Sequence, residues 1–212
     1  MARSVESRSY NPSQAIVFHK TNERFGGLSN MAPGFPLQVN STDIRTSEAL
    51  YQACRFPHLP QVQQLILAEK SPMTAKMHAK KYRSDTRSDW DGVRISIMRW
   101  SLRAKLVQNQ VTFGELLLAT EHLPIVEYST KDDFWGAKPK PSGMLVGKNI
   151  LGRLLMELRE LYRTNVISFN QLTPLNIPDF RLIGRPIQTL KIEHDSYTEP
   201  EYIVEVRQAG LF

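Results

Sequence analysis

Apolar residues recur at helical spacing in two long stretches of the chain. Trp90, Val93, Ile97, Trp100 and Ala104 stand 3, 4, 3 and 4 apart, and Ile95, Met98, Leu102 and Leu106 form a second stripe. This pattern predicts a helix from about Asp89 that is apolar on two faces and central to the core. Leu151, Leu154, Leu155, Leu158 and Leu161 predict the last strong core helix. Shorter helices are expected over Glu48–Phe56, capped by Thr46 or Ser47 and ended by Pro57, and over Phe113–Ala119. A further start lies at Ser71–Pro72, where serine takes the cap and proline the first helical position. The runs AIVF (Ala15–Phe18), FPLQVN (Phe35–Asn40) and PIVEYS read as strands.

Beyond Tyr162 the pattern changes to short β-like runs, NVISF, FRLIG, TLKI and YIVEV, among Pro174, Pro178, Pro186 and Pro200. The expected architecture is α+β with helices dominant. It comprises a loose N-terminal segment over 1–14, one compact domain with short strands over 15–164, and a β-rich C-terminal extension over 165–212 packed on the core. There are no internal repeats and no low-complexity tract.

With 212 residues, 41% hydrophobic and 23% charged, the composition is that of a globular domain able to bury a full core. The single cysteine, Cys54, excludes an intrachain disulfide and a cysteine-based zinc site. Together with the absence of an apolar run among the first residues, it sets the expectation of a cytoplasmic protein without a membrane span. The net charge of +6 fits either a plain basic surface or a phosphate-bearing partner.

The stretch TKDDFWGAKPKPSGMLVGKNILGRLL, Thr130–Leu155, sets two acids and a tryptophan in a turn before an apolar helix. GMLVGKN resembles a phosphate loop, but only three residues separate Gly143 from Gly147, and Asn149 follows Lys148 where Ser or Thr is required. Nucleotide hydrolysis by that route is rejected. A weaker expectation survives, that Asn149 and Gly152 open a helix whose N-terminus attracts phosphate oxygens. The five histidines are scattered without metal-ligand spacing, which argues against a metal enzyme. No nucleophile-elbow serine is present.

What remains is acids, tryptophans and lysines in turns. Singly, each fits a structural role: Glu48 as a charge in a first helical turn, Trp90 as core, Asp132 as a turn residue, Trp135 as packing. Together they offer what breaking a bond at a sugar C1′ requires, namely a carboxylate at an oxocarbenium-like centre, a second acid for the leaving group, and flat aromatics for a base or sugar face.

FGGLSNMAPGFPLQVN, TSEALYQACRFP, SPMTAK, Asp89-Trp90, LRAKLVQN, IVEYSTKDDFWG and GKNILGRLLMELRE, in that order, closely resemble the NADAR family over roughly residues 15–162. The resemblance implies a helix-rich α+β fold and an N-glycosidase that uses no metal or cofactor. Two activities are associated with the family: cleavage of phosphorylated riboflavin-biosynthesis intermediates, and removal of ADP-ribose from guanine bases, including those of DNA. By motif position it implies Glu48, Asp132 and Lys76 as catalytic residues, Lys76 as an amine that could trap an opened ribose. It implies Ser29, Asn30, Trp90, Trp135, Gly136, Asn149 and Gly152 as substrate-binding residues. The implied partners are an ADP-ribose-type ligand, ADP-ribosylated DNA or guanosine, and an ADP-ribosyltransferase toxin. A non-catalytic ADP-ribose-binding module is the alternative of a different class.

Overall fold

A computed structural model describes residues 6–192. Its elements are short strands in small sheets around a helical core. The predicted caps close the helices. Thr46 Oγ1 accepts from Ala49 N at the start of α1, Ser47–Ala53, and Ser71 Oγ from Thr74 N at the start of α3, Pro72–Lys81. Each satisfies a backbone donor that the first helical turn leaves free. Between them lies α2, Pro60–Ala68, which the hydrophobic pattern did not announce. Its Gln63 is fully buried, donating to the carbonyls of Ala53 and Arg181 and accepting from Ile183 N, so a polar residue occupies a core position and breaks the apolar stripe.

α4, Trp90–Gln108, is the central helix. Ile97, Met98, Trp100, Leu102, Ala104 and Leu106 are buried from both predicted stripes, whereas Trp90, Val93 and Ile95 at its N-terminal end are only half-buried. The helix expected over Phe113–Ala119 begins as a π turn, Gln110–Gly114, and continues as the short α5, Glu115–Leu118. α6, Ile150–Thr164, lies between two asparagines in left-handed conformation, Asn149 (φ 48°) and Asn165 (φ 50°). Asparagine tolerates that region better than most residues and here bounds the helix at both ends.

Strand β2, Ile16–Phe18, pairs in parallel with β5, Ile125–Glu127. β3, Leu37–Val39, and β4, Thr42–Ile44, form an antiparallel hairpin. β6, Lys138–Pro139, and β7, Leu145–Gly147, follow the DDFWG loop. Within the segment expected to be loose, β1, Arg8–Tyr10, adds to β7 and buries Tyr10 against Val126, Ala137 and Leu145. Three residues carry too little periodicity to signal a strand, and the pairing partner is more than 130 residues away.

Residues 165–192 lie along the core. β9, Arg181–Leu182, and β10, Arg185–Pro186, join through Ile183 (φ 47°) and Gly184 (φ 74°), the two positive φ values a tight two-residue hairpin needs. β8, Gln171–Leu172, pairs with β11, Leu190–Lys191. Phe169, Phe180, Leu182, Ile187 and Leu190 are buried in the main core. The Trp100 indole donates to the Thr173 carbonyl at 2.8 Å, and Arg87 to that of Pro178 at 2.6 Å. NVISF forms no strand, and YIVEV lies outside the described residues. No described helix is long and apolar enough to cross a membrane.

Candidate active site

Glu48, Tyr51, Gln52 and Arg55 follow one another at helical spacing along α1 and its end, a polar stripe on a helix whose every residue is buried. Glu48 is 5% exposed. Gln52 Nε2 donates to Glu48 Oε1 at 2.9 Å, and its Oε1 accepts from Arg55 Nη1 at 3.1 Å. The start of α1 is held by the GGLSN loop, where the Asn30 carbonyl accepts from Glu48 N and Ser47 Oγ. That loop is held in turn by Lys105, whose fully buried ammonium donates to the carbonyls of Gly27 and Ser29 and lies 4.2 and 4.3 Å from the ring centres of Phe35 and Phe113. Burial lowers the Lys105 pKa to about 7. Ser29 and Asn30 are both buried, and Asn30 Oδ1 finds no protein partner.

The DDFWG loop is shaped by Asp132. Its Oδ1 accepts from Phe134 N and Trp135 N, each at 2.9 Å, while its own N–H donates to Ser129 Oγ. One carboxylate oxygen thus ties the turn, and the other makes no hydrogen bond among the described residues. The loop is seated on α6: Lys148 N donates to Asp133 O, Asn149 N to Gly136 O, Ile150 N to Phe134 O and Leu151 N to Trp135 O. These donors are the ones an anion at the helix N-terminus would use, and here they are spent on the loop carbonyls.

Asn149, expected to touch substrate, is fully buried, with Oδ1 accepting from Glu127 N and Nδ2 donating to the Ile125 carbonyl. Gly152 is a packing position, since a Cβ there would overlap the Ile125 carbonyl. At Gly136 a Cβ would overlap the Glu127 carbonyl. All three therefore hold β5 and its last residue in place. Asn149→Ala should destabilise the fold by roughly 2–4 kcal/mol, because it strands two buried backbone groups and puts alanine in the left-handed region. Asn149→Gly removes the strain but not the loss of hydrogen bonds, so comparable melts of the two variants would identify the amide contacts as the cause.

That last residue, Glu127, is a candidate that no sequence motif singles out. Its carboxyl is pushed up to about 7, first by burial and then by the charges of Glu48 and Asp132, with Lys76 opposing. Glu48, Asp132 and Lys76 are thus brought within electrostatic reach of one carboxyl. Lys76 itself is exposed on α3 and lacks the burial on which activation of a lysine nucleophile would draw. Tyr51 is buried and meets both predicted tryptophans, Trp90 at 5.1 Å and Trp135 at 5.6 Å between ring centres. Phe134 extends the aromatic layer edge-on from Trp135. Among the described residues, no three His, Cys, Asp or Glu side chains converge as metal ligands.

The NADAR domain pattern matches residues 17–163. The chain belongs to the NADAR family. It is 37% identical to N-glycosidase YbiA of Escherichia coli (strain K12) over 145 residues, 68% of this chain and 86% of YbiA. It is 34% identical to riboflavin biosynthesis protein VVA0006 of Vibrio vulnificus, over 72% of this chain and 40% of that protein. The NMR structure of E. coli YbiA superposes with a TM-score of 0.60 at 32% identity, covering 73% of this chain and 92% of YbiA. Glu48, Lys76, Glu127 and Asp132 all lie within the NADAR match, whereas β1 and the wrap over 165–192 lie outside it.

Proposed function

We propose that this protein is an N-glycosidase that hydrolyses a ribose C1′–nitrogen bond. The observation that carries the reading is the Glu127 carboxyl, raised to about 7 and acted on by Glu48 and Asp132, on a residue whose carbonyl abuts Gly136, the neighbour of Trp135 in the chain. Two carboxyl groups in unlike environments divide the labour of acid and base. Glu127, about half protonated at neutral pH, donates its proton to the departing nitrogen, which keeps the electron pair of the C1′–N bond. The Glu48 carboxylate stabilises the positive charge that develops at C1′. Water adds at C1′ and its proton returns to Glu127, leaving a ribosyl hydroxyl and a free N–H heterocycle. The unbonded oxygen of Asp132 orients that water or a ribose hydroxyl. Relatives named N-glycosidases support this reaction class.

For the substrate, the finer reading is ADP-ribose attached to guanine, in DNA or guanosine, favoured by the +6 net charge. The extension contributes less to DNA binding than its composition suggests, because Arg185 donates to the Asn40 carbonyl and Arg181 lies 3.5 Å from Asp179. Phosphorylated riboflavin-biosynthesis intermediates are the second reading, supported by the name of the Vibrio relative. Offering both substrates to the purified protein decides between them. Release of unmodified guanine-containing DNA supports the first, and release of ribose 5-phosphate from the second alone overturns it.

Trp135→Ala tests the aromatic layer. Loss of a base-stacking face should weaken substrate binding by roughly 1–3 kcal/mol, read as a rise in Kd with a melt to confirm folding. Unchanged affinity in the folded variant would leave Trp135 as packing against Tyr51 and Phe134.

A further inference from the structure

Two arginines beside the aromatic layer have donors that the protein does not use. Arg55 spends Nη1 on Gln52 and Nη2 on Thr86 Oγ1, and its Nε is buried without a partner. Arg94 also has a buried Nε without a hydrogen bond. Its nearest acid, Asp91, is 3.5 Å away and 90% exposed, too far and too well hydrated to be a strong partner. Their guanidinium groups lie over the aromatic layer, Arg55 5.1 Å from the centre of Trp90 and Arg94 4.1 Å from that of Phe134. Lys148 adds a third cation 5.5 Å from the centre of Phe134. Both arginines act electrostatically on the Tyr51 hydroxyl, so they bracket one place rather than two.

A buried donor on a charged group is costly to leave unpaired; among the described residues Arg55 has no carboxylate at ion-pair distance, and Arg94 has only the well-hydrated Asp91 at 3.5 Å. We propose that Arg55 and Arg94 form a phosphate subsite that receives the 5′-phosphate, or the first phosphate of a pyrophosphate, on the ribosyl group cleaved at Glu48 and Glu127. Guanidinium is suited to this because its planar fork offers paired donors to phosphate oxygens. The link to the reacting end is direct. Gln52 bonds Arg55 on one side and Glu48 on the other, so the anion and the catalytic carboxylate are fixed one amide apart, a span suited to a single ribosyl unit. Burial also lowers the pKa of Arg55, the mark of a cation stripped of water and in want of a counter-charge. The inference rests on the ribosyl N-glycosidase reading and adds which side chains hold the phosphate of the cleaved sugar.

The test is equilibrium binding of ribose 5-phosphate, ribose and inorganic phosphate to wild type, Arg55→Met, Arg94→Met and Arg94→Lys, each with a thermal melt. Wild type should bind ribose 5-phosphate at least about 100-fold more tightly than ribose. Each methionine variant should lose about 10- to 100-fold in ribose 5-phosphate affinity, the range for hydrogen bonds to charged groups, with ribose affinity unchanged. Arg94→Lys should recover part of the loss, keeping charge without the fork. Should Arg55→Met melt early, the partly exposed Arg94 carries the test alone. Equal affinity of wild type for ribose and ribose 5-phosphate, or variants that bind ribose 5-phosphate as wild type does, would overturn the subsite. Failure of the glycosidase reading looks different: the phosphate preference persists, and no ribosyl substrate turns over.

Discussion

Glu127→Gln should lower turnover by roughly 10²- to 10⁴-fold, the range for removing a positioned general acid. Glutamine keeps the shape and the backbone bond from Glu127 N to Asn149 but has no proton to give. The pH dependence carries the sign. Glu127 acts in its protonated form, so wild-type activity should fall as pH rises through about 7, and that limb should vanish from the residual activity of the variant. Stability moves in the same sense. The folded state raises this carboxyl from 4.5 to about 7 and so binds its proton more tightly than the unfolded chain. Stability contributed by the protonated group is fully present below about 4.5 and is lost as pH rises through about 7. At pH 8 the variant should therefore melt no earlier than wild type. A pH–rate profile and melts at pH 5 and 8 measure both. An unchanged alkaline limb in Glu127→Gln would remove Glu127 from the chemistry.

Glu48→Gln should cost about 10²-fold or more in rate, with little change in folding, because a glutamine oxygen can still accept from Gln52. It has a second consequence. The Glu48 charge helps to raise the Glu127 carboxyl, so removing it should let Glu127 ionise at lower pH. The alkaline limb of the remaining activity should then move to lower pH. A lost rate with an unmoved limb would mean that the two carboxyls do not share a site. Near-wild-type turnover would end the assignment of Glu48.

The helices were legible where their signals are local. Thr46, Ser71 and Pro72 mark starts by chemistry within one turn, and the stripes of α4 and α6 declare their buried faces by spacing alone. β1 and α2 were not, since β1 exists through a partner far along the chain and α2 hides its inner face behind the buried Gln63. The family motifs led to Glu48 and Asp132, whose charges act on Glu127, and to the two tryptophans, which pack on Tyr51. They also led to Asn149, Gly136 and Gly152, whose side chains or lack of them shape β5. A motif marks what a fold requires without separating contact with substrate from support of the residue that makes it. The signal for Glu127 was present, a carboxylate after the short apolar run PIV, five residues before the acid pair begins. Its perturbed carboxyl depends on burial and on charges from α1, α3 and the DDFWG loop, and spacing cannot express that.

The most direct measurement follows the H1′ proton of a phosphorylated N-ribosyl substrate by NMR during incubation with the protein, alongside the free heterocycle. Hydrolysis at C1′ predicts loss of the N-ribosyl H1′ signal, growth of the hemiacetal H1′ signals and equimolar release of the heterocycle over many turnovers. Saturable binding with the N-ribosyl H1′ signal intact at stoichiometric protein would contradict it and leave a module that holds ribosyl phosphates without cleaving them.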